Sequence, residues 1–135
     1  MASPTPPEGV RDLTFSVSFS CEPAFADAAG ALAARAGDYA GCAADDAKRL
    51  GDAVRAVFEK VVAGEPYTGM VDLLVHGTGR VVRVEVWCQG MADLAQRLDS
   101  NGGADPVSAL VDRVEIGADG PRGYCRLTQQ IRAAR

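Results

Sequence analysis

The residues best suited to acid–base or nucleophilic chemistry are few in this sequence and widely spaced. His76 is the single histidine, and its place at the mouth of a predicted hairpin favours a structural role over a catalytic one. The carboxylate pairs Asp45/Asp46 and Asp99/Asp105 have the character of helix caps and loop residues. The sequence therefore gives no support to catalysis by a Ser/His/Asp set or by paired carboxylates.

The cysteines do not form a metal-binding pattern. None of them stands in a C-x-x-C pair, and only one histidine is present to complete a ligand set. We expect four reduced thiols, mostly buried, and no metal site. These residues are Cys21, Cys42, Cys88 and Cys125.

Composition and charge exclude several classes of partner. The 135 residues carry a net charge of -4, with 47% hydrophobic and 24% charged residues, which is ordinary for one globular domain. An acidic balance argues against binding to nucleic acid or to an anionic membrane surface. No apolar run approaches the roughly 20 residues of a membrane-spanning helix, and the start lacks a signal-peptide pattern. We therefore predict a cytoplasmic protein.

The stretch Asp45–Gly64 predicts the helix around which the other elements are arranged. Its apolar residues recur at the i, i+3, i+4, i+7 spacing of one helix face, while charged residues occupy the other face. Asp45 is suited to cap the first turn and Gly64 to end the last. Gly51 is the unusual interior residue and is compatible with a close backbone contact. The apolar face consists of Leu50, Ala53, Val54, Val57, Phe58, Val61 and Val62.

The segment before this helix predicts a disordered arm, a strand and a first helix. Residues 1–12, which are rich in proline, form the arm, and residues 13–135 form a single domain. Leu13–Ser20 alternates strictly between apolar and polar residues, as in a strand with helices on one side only. Its polar face either stays solvated or serves as a docking surface. A helix is predicted from Pro23 to Gly37.

The remainder of the chain predicts two pairs of strands. Met70–His76 and Val81–Cys88 are joined by a Gly-Thr-Gly hairpin signal. Short helices are predicted at Met91–Leu98 and from Asp105-Pro106, and a last strand at Tyr124–Ile131 follows a strand at 114–116 and a turn at 117–123. This order predicts an α+β two-layer sandwich, with a mixed, largely antiparallel sheet of about five strands and helices on one face.

That order of elements resembles the GHKL, or Bergerat-fold, ATP-binding domain. It is most similar to the small anti-sigma-factor serine kinases of bacterial stress and sporulation control. The nearest stretch is DPVSALVDRVEIGADGPRGYCRLTQQI, which is similar to the family's closing helix, acidic-apolar strand, glycine turn and final strand. The resemblance covers nearly all of the chain from Leu13 and depends on pattern rather than on invariant residues.

The resemblance implies a catalytic Glu on the long helix and, four residues later, an Asn that holds magnesium. Alignment of the apolar faces puts Ala56 and Lys60 at these two positions. A register that uses Glu59 instead puts Ala63 in the Asn position. Asn101 is the only asparagine and falls in a predicted loop. Lysine has no oxygen to offer to magnesium, so the resemblance leaves the metal position without its ligand.

The family's adenine and phosphate motifs are also altered. Where the family has Asp-x-Gly, with the Asp bonded to the adenine amino group, this chain has Cys88-Gln89-Gly90. A thiol is a poor acceptor, although the amide of Gln89 is an alternative. Where the family has a glycine-rich lid, this chain has Gly102-Gly103 followed by an acidic residue and a proline, which do not favour a triphosphate.

These changes together predict a retained fold and lost kinase chemistry. The first hypothesis is a catalytically silent anti-sigma-factor-like protein with no cofactor. It would bind a sigma factor or an anti-anti-sigma factor, and it would be a homodimer, as the resemblance implies.

Two further hypotheses remain open. One is a divergent serine kinase with Glu59 as acid/base and Mg-ATP as cofactor, the nucleotide lying against the altered motif positions. The other is a small-molecule sensor whose pocket, in place of the nucleotide, is lined by Val57, Trp87, Cys88 and Met91. If a nucleotide is retained, its site comprises Ala56, Lys60, Cys88, Gln89, Gly90, Gly102 and Gly103.

Overall fold

The computed structural model describes residues 12–63, 69–78, 80–89, 107 and 109–131. The predicted order of the five strands and of the two long helices is confirmed over these residues. The predicted helix at 91–98 lies outside them. β1 begins one residue earlier than expected. The elements are β1 (Asp12–Ser20), α1 (Phe25–Ala40), α2 (Ala44–Ala63), β2 (Met70–Thr78), β3 (Val81–Gln89), β4 (Arg113–Asp119) and β5 (Arg122–Gln130).

The five strands form one sheet in the order β1-β2-β3-β5-β4. All four pairings are antiparallel, so the mixed component that the sequence allowed is not observed among the described strands. Two hairpins, β2–β3 and β4–β5, meet where β3 pairs with β5. β1 joins the outer edge of β2 after the chain has passed through both helices. The predicted fold class, an α+β two-layer sandwich, is confirmed.

Both helices cover the same face of the sheet, because period-2 alternation separates apolar from polar residues in every central strand. α1 packs over β1 and β2, and α2 packs over β3 and β5. No helix in the described segments is both long and apolar enough to cross a membrane. The largest fully buried side chains between the layers are Phe58, Leu50, Leu73, Leu127 and the valines 54, 57, 61, 71, 75, 82 and 84.

The two helices touch through a pair of glycines, which explains the unusual Gly51. A Cβ at Gly51 would lie 2.7 Å from the carbonyl oxygen of Gly30 and 2.9 Å from the Cβ of Ala34. A Cβ at Gly30 would in turn lie 2.8 Å from the carbonyl oxygen of Gly51. The glycines therefore allow the helix backbones to approach more closely than any side chain would permit.

Two predicted boundaries and one predicted helix are corrected. α1 does not end at Gly37, which is buried inside it, but runs to Ala40 and is terminated by Gly41 with φ 109°. The last turn is shorter than the predicted 117–123, because β4 and β5 are connected by Gly120 and Pro121 alone. Residues 107 and 109–111 form a turn and a bend rather than a helix. This turn is closed by one hydrogen bond, in which the Leu110 N–H donates to the Val107 carbonyl at 3.0 Å.

Candidate functional site

The positions that the resemblance assigns to the catalytic Glu and the magnesium-binding Asn lie on the C-terminal half of α2. Ala56 and Lys60 are both half-buried there, and Val57 and Val61 beside them are fully buried against the sheet. Glu59 lies on the exposed side of the helix. Magnesium takes oxygen ligands, and the side chains at 56 and 60 provide none. These two positions therefore do not fit a magnesium-nucleotide.

The adenine position lies at the end of β3. Cys88 is fully buried on the helix-covered face, whereas Gln89 is exposed and alternation directs it to the opposite face. The amide of Gln89 thus does not stand in for the family's Asp on the side where Cys88 lies. Gly90, Gly102 and Gly103 lie outside the described residues.

The hypothetical sensor pocket is not assembled as predicted. Val57 and Cys88 are fully buried between the layers. Trp87 lies on the other face of the sheet, where its ring stacks on Tyr124. Met91 lies outside the described residues. Trp87 therefore cannot line a pocket together with Val57 and Cys88, since the sheet separates them.

The metal chemistry of the described residues is limited. No group of three or more His, Cys, Asp or Glu side chains within the described segments could hold a metal ion. Of the cysteines, Cys42, Cys88 and Cys125 are buried and Cys21 is half-buried, all four as thiols. The prediction that the cysteines are mostly buried is confirmed.

The open face of the sheet, which neither α1 nor α2 covers, carries an aromatic pair at its centre. Trp87 on β3 and Tyr124 on β5 are direct partners in register, with ring centroids 4.7 Å apart and planes inclined by 29°. The guanidinium of Arg122 lies 4.5 Å from the Trp87 ring centroid, and that of Arg126 lies 5.2 Å from the Tyr124 ring. Tyr124 fits because Gly117 opposite it has no side chain: a Cβ there would lie 2.8 Å from the tyrosine oxygen. Trp, Tyr and Arg are the residues most enriched in protein-binding hot spots.

An ionic network borders this aromatic pair. Arg126 Nε donates to Glu85 Oε2 at 2.9 Å, and Trp87 Nε1 donates to Glu85 Oε1 at 2.8 Å. Glu115 on β4 lies 3.5 Å from Arg126 Nη1 and 3.3 Å from Arg113 Nε. The network thus ties β3, β5 and β4 together across the open face.

The contacts of Glu85 favour its ionised form. Burial alone would raise the pKa of this carboxyl, but the hydrogen bonds from Trp87 and Arg126 and the charges of Arg126 and Arg83 outweigh burial. The net effect is a pKa below the ordinary value of 4.5. The hydrogen bond to Glu85 is also the main reason that the pKa of Arg126 is raised.

Polar pairs continue the open face toward β1. Ser18 Oγ donates to Asp72 Oδ1 at 2.6 Å, and Arg122 reaches the same carboxylate at 3.6 Å. The Thr14 hydroxyl lies 2.9 Å from Nδ1 of His76, the single histidine, and this contact joins β1 to β2. Beside this pair the open face forms a shallow concavity of about 500 Å³. Its polar and apolar lining includes Thr14, Ser16, Leu74, His76, Arg83 and Glu85.

Sequence reasoning identified the polarity of this face but not its centre. Leu13–Ser20 was expected to have one polar face, and the same face continues on the last strand with Arg122 and Arg126. The pairing of Trp87 with Tyr124 was missed. Alternation alone places Glu85 and Trp87 on one face of β3. To predict that Trp87 contacts Tyr124, one would also need the register of β3 against β5, which the sequence does not show.

Comparison with known proteins supports the fold alone. No protein-family model matches the chain, and no curated protein matches it either. Among solved structures, the crystal structure of the RsbU and RsbW domains of Rv1364c from Mycobacterium tuberculosis superposes with a TM-score of 0.70 at 18% sequence identity. The match covers 91% of this chain and 33% of that chain, so this chain spans about a third of the length of its structural neighbour. The chain therefore shares the fold of part of that structure. Within the described residues, the sheet face that neither α1 nor α2 covers carries Trp87, Tyr124, Arg122 and Arg126.

Proposed function

We propose that this domain is a catalytically silent relative of the anti-sigma-factor serine kinases and that it acts by binding proteins. The observation that carries the proposal is the chemistry of α2. Ala56 and Lys60 stand where the kinases have a carboxylate and a magnesium-binding amide, and the adjoining Val57 and Val61 are fully buried in the core. A helix of this composition supports the sheet but has no ligand for a divalent cation at these positions.

The adenine end of the site supports the same proposal. A fully buried Cys88 takes the place of the carboxylate that would accept the adenine amino group. A thiol is a weak acceptor, so Cys88 cannot replace the carboxylate that accepts the hydrogen bond of the adenine amino group, and selectivity for adenine depends on that bond. The fold is kept, and two separate nucleotide contacts are replaced by residues unable to make them.

The open face is the surface we propose for self-association. Its central Trp87 and Tyr124 are half-buried, and Met70 and Leu74 at its β2 side are 46% and 37% exposed. Charges of both signs surround this apolar centre in equal number over β2 to β5. In a two-fold symmetric dimer the same face supplies both partners, so balanced charges allow acids of one copy to meet bases of the other. The charged residues are Asp72, Glu85, Glu115 and Asp119 against Arg83, Arg113, Arg122 and Arg126.

The proposed partner class follows from the fold relationship. The structural neighbour contains an RsbW domain, and anti-sigma-factor kinases of this fold bind sigma factors and anti-anti-sigma factors. We propose that the present dimer binds a sigma factor or an anti-anti-sigma factor in the cytoplasm and that its affinity does not depend on nucleotide.

The test is a binding measurement with purified sigma factors and anti-anti-sigma factors from the source genome, made with and without Mg-ATP. We expect at least one partner to bind with the same dissociation constant in both conditions. If Mg-ATP changed the affinity for a partner by more than about tenfold, equivalent to about 1.4 kcal/mol, the claim that binding does not depend on nucleotide would be contradicted. If none of the sigma factors or anti-anti-sigma factors bound, the proposed class of partner would be wrong.

The same samples test the kinase alternative. Incubation with radiolabelled ATP should leave every partner unlabelled. Transfer of phosphate that is lost in Glu59→Ala would establish the divergent kinase instead, with Glu59 as its acid/base. Arg55→Ala, which changes another exposed residue of α2, is the control for non-specific effects on the helix.

A further inference from the structure

The strand register brings a row of hydrogen-bonding side chains together at one end of the open face. Thr14 on β1 pairs with His76 on β2, and His76 pairs in turn with Arg83 on β3. Residues that pair directly present their side chains on the same face of the sheet. These three side chains are a hydroxyl, an imidazole and a guanidinium, so the row favours a negative group over a positive one.

Arg83 is the cation of this row, and no ion pair in the described part of the chain neutralises it. The carboxylate two residues along β3, that of Glu85, already accepts hydrogen bonds from Arg126 and Trp87. Arg83 acts on Glu85 only through its charge. The guanidinium of Arg83 is therefore free to take a ligand carboxylate as its direct partner, in the two-point geometry that suits this pair.

The shallow concavity of about 500 Å³ lies against this row. The side chains of β1 on the open face are short, whereas Arg83 and Glu85 on β3 are long, so the surface steps down from β3 to β1. Leu74 lies between Ser16 and Glu85 in register and is 37% exposed, which gives the concavity an apolar floor. The concavity thus combines one unpaired cation with an accessible apolar surface.

We propose that this concavity binds a small carboxylic acid with an apolar body. The carboxylate accepts hydrogen bonds from Arg83, and the apolar body covers Leu74. Thr14 donates to Nδ1 of His76 in this assignment, so that Nε2 carries the ring proton and is a second donor. A singly charged group fits best, because Glu85 in the same lining repels a phosphate ester, with its charge of nearly -2, more strongly.

The concavity shares Leu74, Arg83 and Glu85 with the surface proposed for self-association, so a dimer would compete with the ligand for this face. Binding is therefore measured on wild type and on Arg122→Glu, the variant expected to be monomeric. Arg122 pairs with Gln89, six residues along β3 from Arg83, which corresponds to about 20 Å. A charge change at that distance is largely screened, because the Debye length is about 8 Å at physiological ionic strength. Arg122→Glu must bind the acid whether or not the wild type proves to be a dimer.

The test is a titration followed by ¹H–¹⁵N NMR, with hexanoate and benzoate as probes. The comparison ligands are hexan-1-ol, which has no charge, hexylamine, which has the opposite charge, hexyl phosphate, which has more charge, and acetate, which lacks the apolar body. We expect a dissociation constant of about 1 mM for the better acid and at least tenfold weaker binding by each comparison ligand. The shifted resonances should include those of Arg83 and Leu74.

Variants separate this site from general surface binding. Arg83→Gln should weaken acid binding at least tenfold, and Arg83→Lys, which keeps the charge but lacks the planar fork, should weaken it less. Leu74→Ala should weaken the binding of hexanoate but not that of acetate. Arg80→Gln removes a neighbouring exposed cation that does not line the concavity, and it should leave binding unchanged. The amide spectrum shows whether each variant is folded, and the exposed Leu74→Ala decides the matter if Arg83→Gln is not.

Acid binding by Arg122→Glu, with or without binding by the wild type, supports the proposal. Three outcomes would overturn it. They are no saturable binding of either acid by Arg122→Glu up to about 30 mM, binding of a comparison ligand as tight as that of the acid, and binding that is unchanged in both Arg83→Gln and Leu74→Ala.

Discussion

Arg126 Nε donates to Glu85 Oε2 at 2.9 Å across the pairing of β5 with β3, where the two residues are direct partners in register. The side chains are 27% and 17% exposed, so the ion pair is partly withdrawn from solvent on the face that neither α1 nor α2 covers. Charge-assisted hydrogen bonds of this kind are stronger than exposed surface pairs. The pair therefore helps to hold the aromatic centre of the open face in one arrangement.

Glu85 should make the stability of the domain depend on pH. Its folded-state pKa lies below the ordinary value of 4.5, so its contribution is present above that value and is lost as the pH falls through the folded-state pKa. Glu85→Gln should remove this part of the acid sensitivity. Urea unfolding at a series of pH values below 4.5 measures the effect, with Glu59→Gln as an exposed carboxylate control. Equal acid slopes for wild type and Glu85→Gln would contradict this expectation.

Gly117→Ala should disturb the aromatic pair of Trp87 and Tyr124 from the neighbouring strand β4. The new Cβ would lie 2.8 Å from the Tyr124 oxygen, so the ring must move off β4 and its stacking on Trp87 must change. We expect a shift in the Trp87 fluorescence spectrum and a loss of about 1 kcal/mol of stability. An Ala118→Gly substitution beside it is the control on the same strand. An unchanged Trp87 spectrum in Gly117→Ala would show that the ring is not confined there.

Gly51→Ala should destabilise the protein, although alanine favours helices. The gain in helix propensity is about 1 kcal/mol, but the Cβ would lie 2.7 Å from the Gly30 carbonyl oxygen, on a backbone that cannot yield locally. The net loss should be about 1–2 kcal/mol by urea unfolding. Glu59→Ala, an exposed change in the same helix, should stay within about 0.5 kcal/mol. A stabilised Gly51→Ala would mean that the helices are farther apart than described.

Charge reversal on the open face should dissociate the proposed homodimer. Arg122→Glu unbalances the face and brings a carboxylate next to Asp72, so two copies would repel each other. Sedimentation equilibrium should find wild type as a dimer and Arg122→Glu as a monomer. Arg35→Glu is the matched control, because Arg35 is exposed on α1, away from this face. A monomeric wild type, or a dimer that persists in Arg122→Glu, would argue against this interface.

Local patterns in the sequence were sufficient to predict the fold class. The strict alternation of Leu13–Ser20, the apolar stripe of Asp45–Gly64 and the Gly-Thr-Gly hairpin each report on neighbouring residues, and each element was found where predicted. The end of α1 was misplaced at Gly37 because a glycine is usually a helix terminator. Here the missing side chain instead makes room for Ala47, whose Cβ would lie 3.2 Å from a Cβ at Gly37.

The features of the open face depend on contacts between residues far apart in the chain. Glu85 and Arg126 are 41 residues apart, and their contact exists only in one register of β3 against β5. A shift of one residue would send every side chain of β5 to the other face. The pairing of Trp87 with Tyr124 follows from the same register, and no local pattern encodes it. The error in the sensor pocket had a different, local cause: Trp87 and Cys88 are neighbours on β3, so alternation places their side chains on opposite faces of the sheet.

The most direct test of the central claim is a titration of the ¹⁵N-labelled protein with Mg-ATP and Mg-ADP up to about 5 mM, a range that would detect even weak millimolar binding. If α2 and the end of β3 have lost their nucleotide contacts, the resonances of Ala56, Lys60 and Cys88 should stay where they are. Saturable shifts of these resonances with a dissociation constant in the micromolar range would contradict the claim and restore the domain to the nucleotide-binding members of its fold.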